Sequence, residues 1–219
     1  MYHISPSLFN ADPMEYRSVI HTLNRVGADW YHIDIMDGHF VPNFALGIRT
    51  VKAIRKEATL PFYVHMMTTI PQDYIQTFAD LGADYYAFHY EVTHTPFRLA
   101  KAIREAGMKA AVVLNPSTPV TVLKDLIPHI DAVTLMAIEP GFAGQAFMPH
   151  TYQKIQELKA MIGDYPVLIE VDGGADFSIS RKCVELGCDV VVGGDFTTFA
   201  AGGTIEENHR KYADIMKGV

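Results

Sequence analysis

The sequence predicts an α/β chain closed into a (β/α)8 TIM barrel, and three observations carry that prediction. Eight short β-branched or aromatic runs alternate with eight stretches whose apolar residues recur every three or four positions. Several runs are apolar throughout, as burial on both sheet faces requires, and the intervening helices force the strands to run parallel. The 219 residues leave about 27 per unit, compact for a fold whose usual length is ~250 residues, so residues 1–219 are expected to form one domain. A doubly wound open sheet has the same alternation, and strand counting does not distinguish it from a closed barrel.

In chain order the strands are predicted at 3–8, 30–35, 62–66, 85–89, 110–114, 132–137, 167–171 and 190–193. The helices are predicted near 13–26, 46–57, 71–81, 95–106, 119–127, 149–162, 176–186 and 204–217. Pro13, Pro119 and Pro149 open three of them, where the missing N–H costs nothing. The phrases Gly27-Ala28-Asp29, Gly82-Ala83-Asp84 and Gly187-Cys188-Asp189 recur just before strands, each a helix-ending glycine followed by a turn acid. No linker or low-complexity tract interrupts the pattern.

Composition narrows the function. The chain has 25 acidic and 18 basic residues, a formal charge of −7 and no basic run, which argues against nucleic acid as a partner. Cys183 and Cys188 show neither metal-ligand spacing nor a disulfide framework, so a reducing, cytoplasmic setting is expected. No apolar stretch approaches the length of a membrane span, and Met1 leads directly into Tyr2-His3-Ile4 without a secretory-signal pattern.

Barrel chemistry sits where strands end and βα loops begin, so polar residues closing apolar strands are the candidates. His32 and Asp34 end the second strand two residues apart and share a face; His65 ends the third and Asp172 the seventh. Two imidazoles and two carboxylates around one point suit a divalent ion such as Zn²⁺, Fe²⁺, Mn²⁺ or Co²⁺, or an acid–base centre. His89, ending the fourth strand, is either a wall of that site or a structural histidine. Asp37 is expected to hold its loop through Asx hydrogen bonds, and His3, His21, His94, His129, His150 and His209 are expected at the surface. Met36, Met67 and Met136 lie at strand ends, either as core filler or as an apolar collar around the polar centre. Glycines follow the last three strands in Pro140-Gly141-Phe142-Ala143-Gly144, Gly173-Gly174 and Gly193-Gly194, where barrels commonly bind phosphate through backbone N–H groups.

Over essentially its whole length the chain resembles the ribulose-phosphate 3-epimerases, including the similar allulose-6-phosphate 3-epimerases. The matching phrases are Ser5-Pro6-Ser7, the run from His32-Ile33-Asp34 to Asn43, His65-Met66-Met67, Asn115-Pro116-Ser117, Pro140 to Gln145, and Glu170-Val171-Asp172-Gly173-Gly174. The resemblance implies a ribulose-phosphate-binding barrel with one divalent metal on His32, Asp34, His65 and Asp172, and with Asp34 and Asp172 as the acid–base pair. It places Ser7, Met36, Met67 and Met136 near substrate and metal. Gly141, Phe142, Ala143, Gly144, Gly173, Gly174, Gly194 and Asp195 are the remaining substrate-site candidates, the phosphate being held by glycine N–H groups.

The implied reaction is inversion at C3 of ribulose 5-phosphate to xylulose 5-phosphate, or of allulose 6-phosphate to fructose 6-phosphate. Loss of the C3 proton next to a C2 carbonyl leaves an enediolate whose charge a metal would stabilise, and inversion needs one carboxylate on each face of the sugar. The chain departs from the family's usual pattern at Asp195 and Phe196, where small hydroxyl residues are frequent, and at Asn10, Tyr90 and Ala143. Asp195 opposes a phosphate dianion, which leaves an unphosphorylated ketose, or a non-catalytic sugar-binding barrel, as competing readings. A decarboxylase of the orotidine-phosphate type is opposed by the sequence Asp34-Ile35-Met36-Asp37, which lacks the central lysine of Asp-x-Lys-x-x-Asp. The expected partners are a small-molecule ketose phosphate and further copies of the chain, without nucleic acid or membrane.

Overall fold

The computed structural model describes residues 2–219. Eight parallel strands form the barrel: β1 (His3–Pro6), β2 (Tyr31–Asp37), β4 (Phe62–Met67), β5 (Tyr85–His89), β6 (Lys109–Leu114), β7 (Ala132–Met136), β8 (Leu168–Asp172) and β9 (Val190–Gly193). The extra β3 (Phe44–Ala45) folds back antiparallel on Met36 and Asp37. The ladder runs β1-β9-β8-β7-β6-β5-β4-β2, and its two ends meet. Ser7 bridges His32 in parallel, the Asp29 N–H donates to the Ile4 carbonyl, and the Ile4 N–H donates to Asp29 Oδ2. An open doubly wound sheet is thereby excluded.

Among the described residues, seven α-helices surround the strands: α1 (Tyr16–Val26), α2 (Ile48–Arg55), α3 (Ile75–Asp80), α4 (Pro96–Glu105), α5 (Thr151–Ile162), α6 (Phe177–Glu185) and α7 (Ile205–Ile215). The helix expected near 119–127 does not form. Two 3-10 turns, Val120–Leu123 and Ile127–His129, take its place. The β-branched run Val120-Thr121-Val122 is a poor helix former, and Pro128 can neither donate to a preceding carbonyl nor extend a helix backwards. A 3-10 turn at Pro71–Tyr74 likewise replaces the first half of the helix expected at 71–81. Where caps are strong the boundaries hold: Asp176 accepts from the Ile179 N–H at the start of α6, and Thr204 and Glu207 form a capping box on α7.

The outward faces of the strands pack against the helices in one large core that includes Tyr31, Phe62, Tyr86 and Val191. The barrel interior is a second core, floored by aromatics. Trp30 stacks on Tyr63 at 6.0 Å and lies 5.0 Å from Tyr85, with His3 on its other side at 5.4 Å. His3, expected at the surface, is thus part of that floor. These rings close the lower half of the barrel, so inward-facing groups on the upper half are the ones accessible from the C-terminal rim.

The acids of the repeated Gly-x-Asp phrases act at the base. Oδ2 of Asp29, Asp84 and Asp189 accepts the N–H of Ile4, Phe62 and Ile169, respectively, at 2.8–2.9 Å. Each of these aspartates returns its own N–H to the carbonyl of the same strand residue. Asp131 makes the same pair of bonds with Ala110, although no glycine announces it. Four aspartates therefore clamp alternate strand pairs at their N-terminal ends.

Candidate active site

Strand alternation turns His32, Asp34 and Met36 of β2, His65 and Met67 of β4, Met136 of β7, and Glu170 and Asp172 of β8 into the barrel. One ligand atom from each of His32, Asp34, His65 and Asp172 lies within 4.8 Å of the others. His32 Nε2 is 3.2 Å from His65 Nδ1, 3.4 Å from Asp34 Oδ1 and 3.5 Å from Asp172 Oδ2. His65 Nδ1 is 3.2 Å from Asp34 Oδ1 and 3.5 Å from Asp172 Oδ2. The four residues anticipated from sequence converge as a set.

These separations test the set against a divalent ion. Donors placed tetrahedrally about 2.0–2.1 Å from a common centre stand about 3.3–3.4 Å apart; the five separations that involve an imidazole bracket that edge, and the two carboxylates lie within 4.8 Å of each other. The local field is also strongly negative. Burial alone lowers the pKa of His32, but the carboxylates of Asp34, Glu170 and Asp172 outweigh it and raise it well above the ordinary imidazole value. For His65 too, burial is outweighed, by Asp172 and Asp34. Asp34 is held far below the usual carboxylate range by the two imidazoles, although burial opposes this. A site that draws protons onto two buried imidazoles equally favours a cation between them.

Asp34 and Asp172 reach this point from strands three positions apart around the ring, by way of β1 and β9. Their surroundings differ. Asp34 Oδ2 accepts from Ser7 Oγ at 2.6 Å, which pins one carboxylate oxygen. The Asp172 side chain is more open, 14% exposed against 7% for Asp34.

A cavity open to the C-terminal rim lies directly above the cluster. Its wall contains every substrate-site candidate: Ser7, Met36, Met67, Met136, Gly141, Phe142, Ala143, Gly144, Gly173, Gly174, Gly194 and Asp195. Phe9, Asn10, Ile138, Ala175, Val192 and Phe196 also line it. The three methionines are nearly buried around the polar centre, with Met36 and Met67 packed on Val41. Gly173 and Gly174 adopt φ of +105° and +68°, and a Cβ on Gly174 would stand 2.6 Å from the Phe147 nitrogen. Only glycine allows the backbone to turn so tightly there. Asp195 Oδ1 accepts from Asn10 Nδ2 at 2.8 Å, and among the described residues no Lys or Arg lines the cavity.

Behind the cluster stand Glu170, Thr134 and Tyr63, which were not anticipated, and His89, which was expected either as a wall of the site or as a structural histidine. Glu170 is fully buried one layer below Asp172, with Oε1 3.5 Å from His32 Nδ1. Its Oε2 accepts from Thr134 Oγ1 at 2.6 Å, and Thr134 Oγ1 lies 2.6 Å from Tyr63 OH. His89 stands behind His65, Nε2 to Nε2 at 2.8 Å, with Glu91 3.5 Å from its other nitrogen. Burial lowers His89 to a pKa of about 4, so it is neutral at ordinary pH. His89 is therefore a second layer rather than a cavity wall. The sequence signal for Glu170 was its position: an acid inside an otherwise apolar strand, two residues before Asp172 and hence on the same face. Asp37 does hold its loop, accepting the N–H groups of His39 and Phe40 at 2.8 Å each and of Thr69 at 3.0 Å.

A closed α/β barrel with a histidine–carboxylate cluster at its C-terminal rim defines a class of small-molecule enzymes, and comparison with known proteins narrows it. A model of the ribulose-phosphate 3 epimerase family matches residues 3–197. The chain is 41% identical to ribulose-phosphate 3-epimerase of Bacillus subtilis over 197 residues, covering 89% of this chain and 91% of that one. It is 39% identical to ribulose-phosphate 3-epimerase of Treponema pallidum over 195 residues, covering 88% and 89%. The chain belongs to the ribulose-phosphate 3-epimerase family and is accordingly an isomerase. Among solved structures, KGPDC from Streptococcus mutans superimposes with a TM-score of 0.78 at 14% identity, over 99% of this chain and 97% of that one. Orotidine 5'-phosphate decarboxylase from Pyrococcus horikoshii gives 0.70 at 14% identity, over 99% and 100%. Those two likenesses concern the fold alone.

Proposed function

We propose that this chain, acting as one barrel domain, inverts C3 of a ketose phosphate: ribulose 5-phosphate to xylulose 5-phosphate, or allulose 6-phosphate to fructose 6-phosphate. The observation that carries this reading is the meeting of Asp34 and Asp172, from strands three apart, at one point beneath the rim cavity. A ketose whose C3 lies between them presents one face to each carboxylate. One acid accepts the C3 proton, and the other gives a proton to the opposite face. Metal binding and proton sharing couple the two carboxylates, so neither has a private titration. Ser7 keeps Asp34 oriented through the bond to Oδ2. Met36, Met67 and Met136 keep water from the reacting carbon, which strengthens every charge interaction at the centre.

His32, Asp34, His65 and Asp172 are the residues that would hold one divalent ion of the zinc, iron, manganese or cobalt type. Such an ion, when bound, supplies positive charge that stabilises the enediolate. We assign the backbone N–H groups of Gly144, Gly173, Gly174 and Gly194 to the phosphate, with Gly141, Phe142 and Ala143 covering the sugar. Asp195 stands on the same wall and supports a second reading, an unphosphorylated ketose. Both thiols are free and buried, which supports a cytoplasmic setting, and the exposed Phe44, outside the cavity, supports assembly with further copies of the chain. No described helix is long and apolar enough to cross a membrane.

A panel of five- and six-carbon ketoses, free and phosphorylated, tests the reading by exchange of the C3 proton with deuterated solvent. Exchange confined to phosphate esters and lost on chelation is expected. Exchange with free ketoses only would move the assignment to an unphosphorylated substrate, and binding without exchange would make the chain a sugar-binding barrel.

A further inference from the structure

We propose that Glu170 is a positioning residue: its buried carboxylate fixes the tautomer and ring angle of His32 and so sets how tightly the rim cluster holds a divalent ion. This rests on the metal reading of the cluster. Glu170 is 0% exposed, and the two-carboxylate chemistry makes no use of it. A carboxylate at that depth is costly unless each oxygen is bonded and a positive partner is near.

One oxygen is anchored. Thr134 has a single hydroxyl proton and gives it to Glu170 Oε2, so at its own oxygen it accepts from the Tyr63 hydroxyl. The bonds run one way, from Tyr63 through Thr134 to Glu170. The other oxygen, Oε1, has no hydrogen-bond partner, and neither has His32 Nδ1, the atom it faces at 3.5 Å. Two orphaned buried atoms facing one another make a pair that a small ring rotation closes.

The tautomer follows from the opposite side of the ring. His32 Nε2 points at Asp34, Asp172 and His65 Nδ1, the other three members of the cluster. To offer a lone pair there, a neutral imidazole must carry its proton on Nδ1, aimed at Glu170. A carboxylate behind a ligand histidine raises ligand basicity and prevents the ring from turning. His65 has a weaker version of this support, because the group behind it is the imidazole of His89 rather than a carboxylate.

Glu170→Gln tests the inference, since it keeps size and the acceptor for Thr134 but removes the charge. Wild type and variant are stripped with a chelator, melted without metal, and titrated with Co²⁺ and Zn²⁺ against a competing chromophoric chelator. The Co²⁺ absorption bands report donor geometry. Metal-free melting at or above the wild-type temperature is expected, together with affinity for either ion about 10–100-fold weaker and altered Co²⁺ bands. A variant that folds and binds both ions within about threefold of wild type, with unchanged bands, overturns the proposal. A purely structural Glu170 would instead lower the metal-free melting temperature and leave affinity alone. Should Glu170→Gln not fold, Thr134→Val decides: releasing Oε2 weakens affinity several-fold if Glu170 positions His32, and leaves it unchanged if not. Wild type that binds neither ion would remove the metal reading itself, an outcome distinct from wild type that binds and a variant that matches it.

Discussion

At the base of the barrel, four aspartates each take one strand N–H and give one N–H back, so their hydrogen bonds are spent on holding neighbouring strands together. At the rim, Asp34 and Asp172 turn oxygens toward two imidazoles and a cavity, and behind them Glu170 Oε1 and His32 Nδ1 have no partner at all. The residue type is the same and the fold is the same. What differs is position along the strand: an acid before the first ladder residue meets an unpaired N–H, whereas an inward-facing acid in the C-terminal part of a strand meets other side chains. Satisfied acids stabilise, and acids left facing each other across a space store the capacity to bind a cation or move a proton. Barrels in general separate stability from chemistry in this way, between N-terminal and C-terminal faces.

The comparison can be broken by exchanging the effects. The largest is expected at the rim: Asp34→Asn or Asp172→Asn lowers C3 proton exchange by about 10²–10⁴-fold while the melting temperature stays near that of wild type. Substantial exchange in both variants would end the two-carboxylate assignment. At the base, Asp189→Ala leaves the Ile169 N–H without its carboxylate and costs about 1–3 kcal/mol in denaturant unfolding, with kcat/KM per folded molecule unchanged. A base variant that lost activity without losing stability would contradict the division.

Smaller effects sharpen it. Asp195→Ser removes a carboxylate from the cavity wall, and a few-fold rise in kcat/KM for phosphate esters over free ketoses is expected; an unchanged ratio would show that this acid does not face the phosphate. Smallest is the acid limb of Asp37. Three backbone N–H groups depress its pKa to about 2, from an ordinary 3.8, although its modest burial acts in the other direction. Because the folded pKa is the lower one, the stabilisation is complete above about pH 4 and disappears as pH falls through about 2. Asp37→Asn should flatten that part of the stability profile, measured by denaturant midpoints, and an unaltered acid limb would assign it elsewhere.

Much of the site was legible because strand alternation is strict: once His32 and Asp34 are on one strand, two residues apart, they share a face whatever the rest of the chain does. The same rule would have exposed Glu170 from its spacing to Asp172, but its partner His32 lies across the barrel and 138 positions away in sequence. Asp131 escaped for the opposite reason: the preceding segment ends in Pro128 and a 3-10 turn, so no glycine marks the clamp. The missing helix at 119–127 shows where periodicity misleads, since apolar spacing is equally met by two short turns when β-branched residues and proline weaken the helix.

By itself the sequence determined the alternation of strands and helices, the inward set on each strand, the glycines at the tight loops and the identity of the four rim donors, because all of these follow from local stereochemistry. Closure through Ser7 and His32, the donor spacing of 3.2–3.5 Å, the burial of Glu170 and its approach to His32, and the pairing of Asn10 with Asp195 were decided only by tertiary structure. Those are distances between residues from separate strands and loops, set by the barrel's curvature and by packing in its interior rather than by any neighbour in the chain.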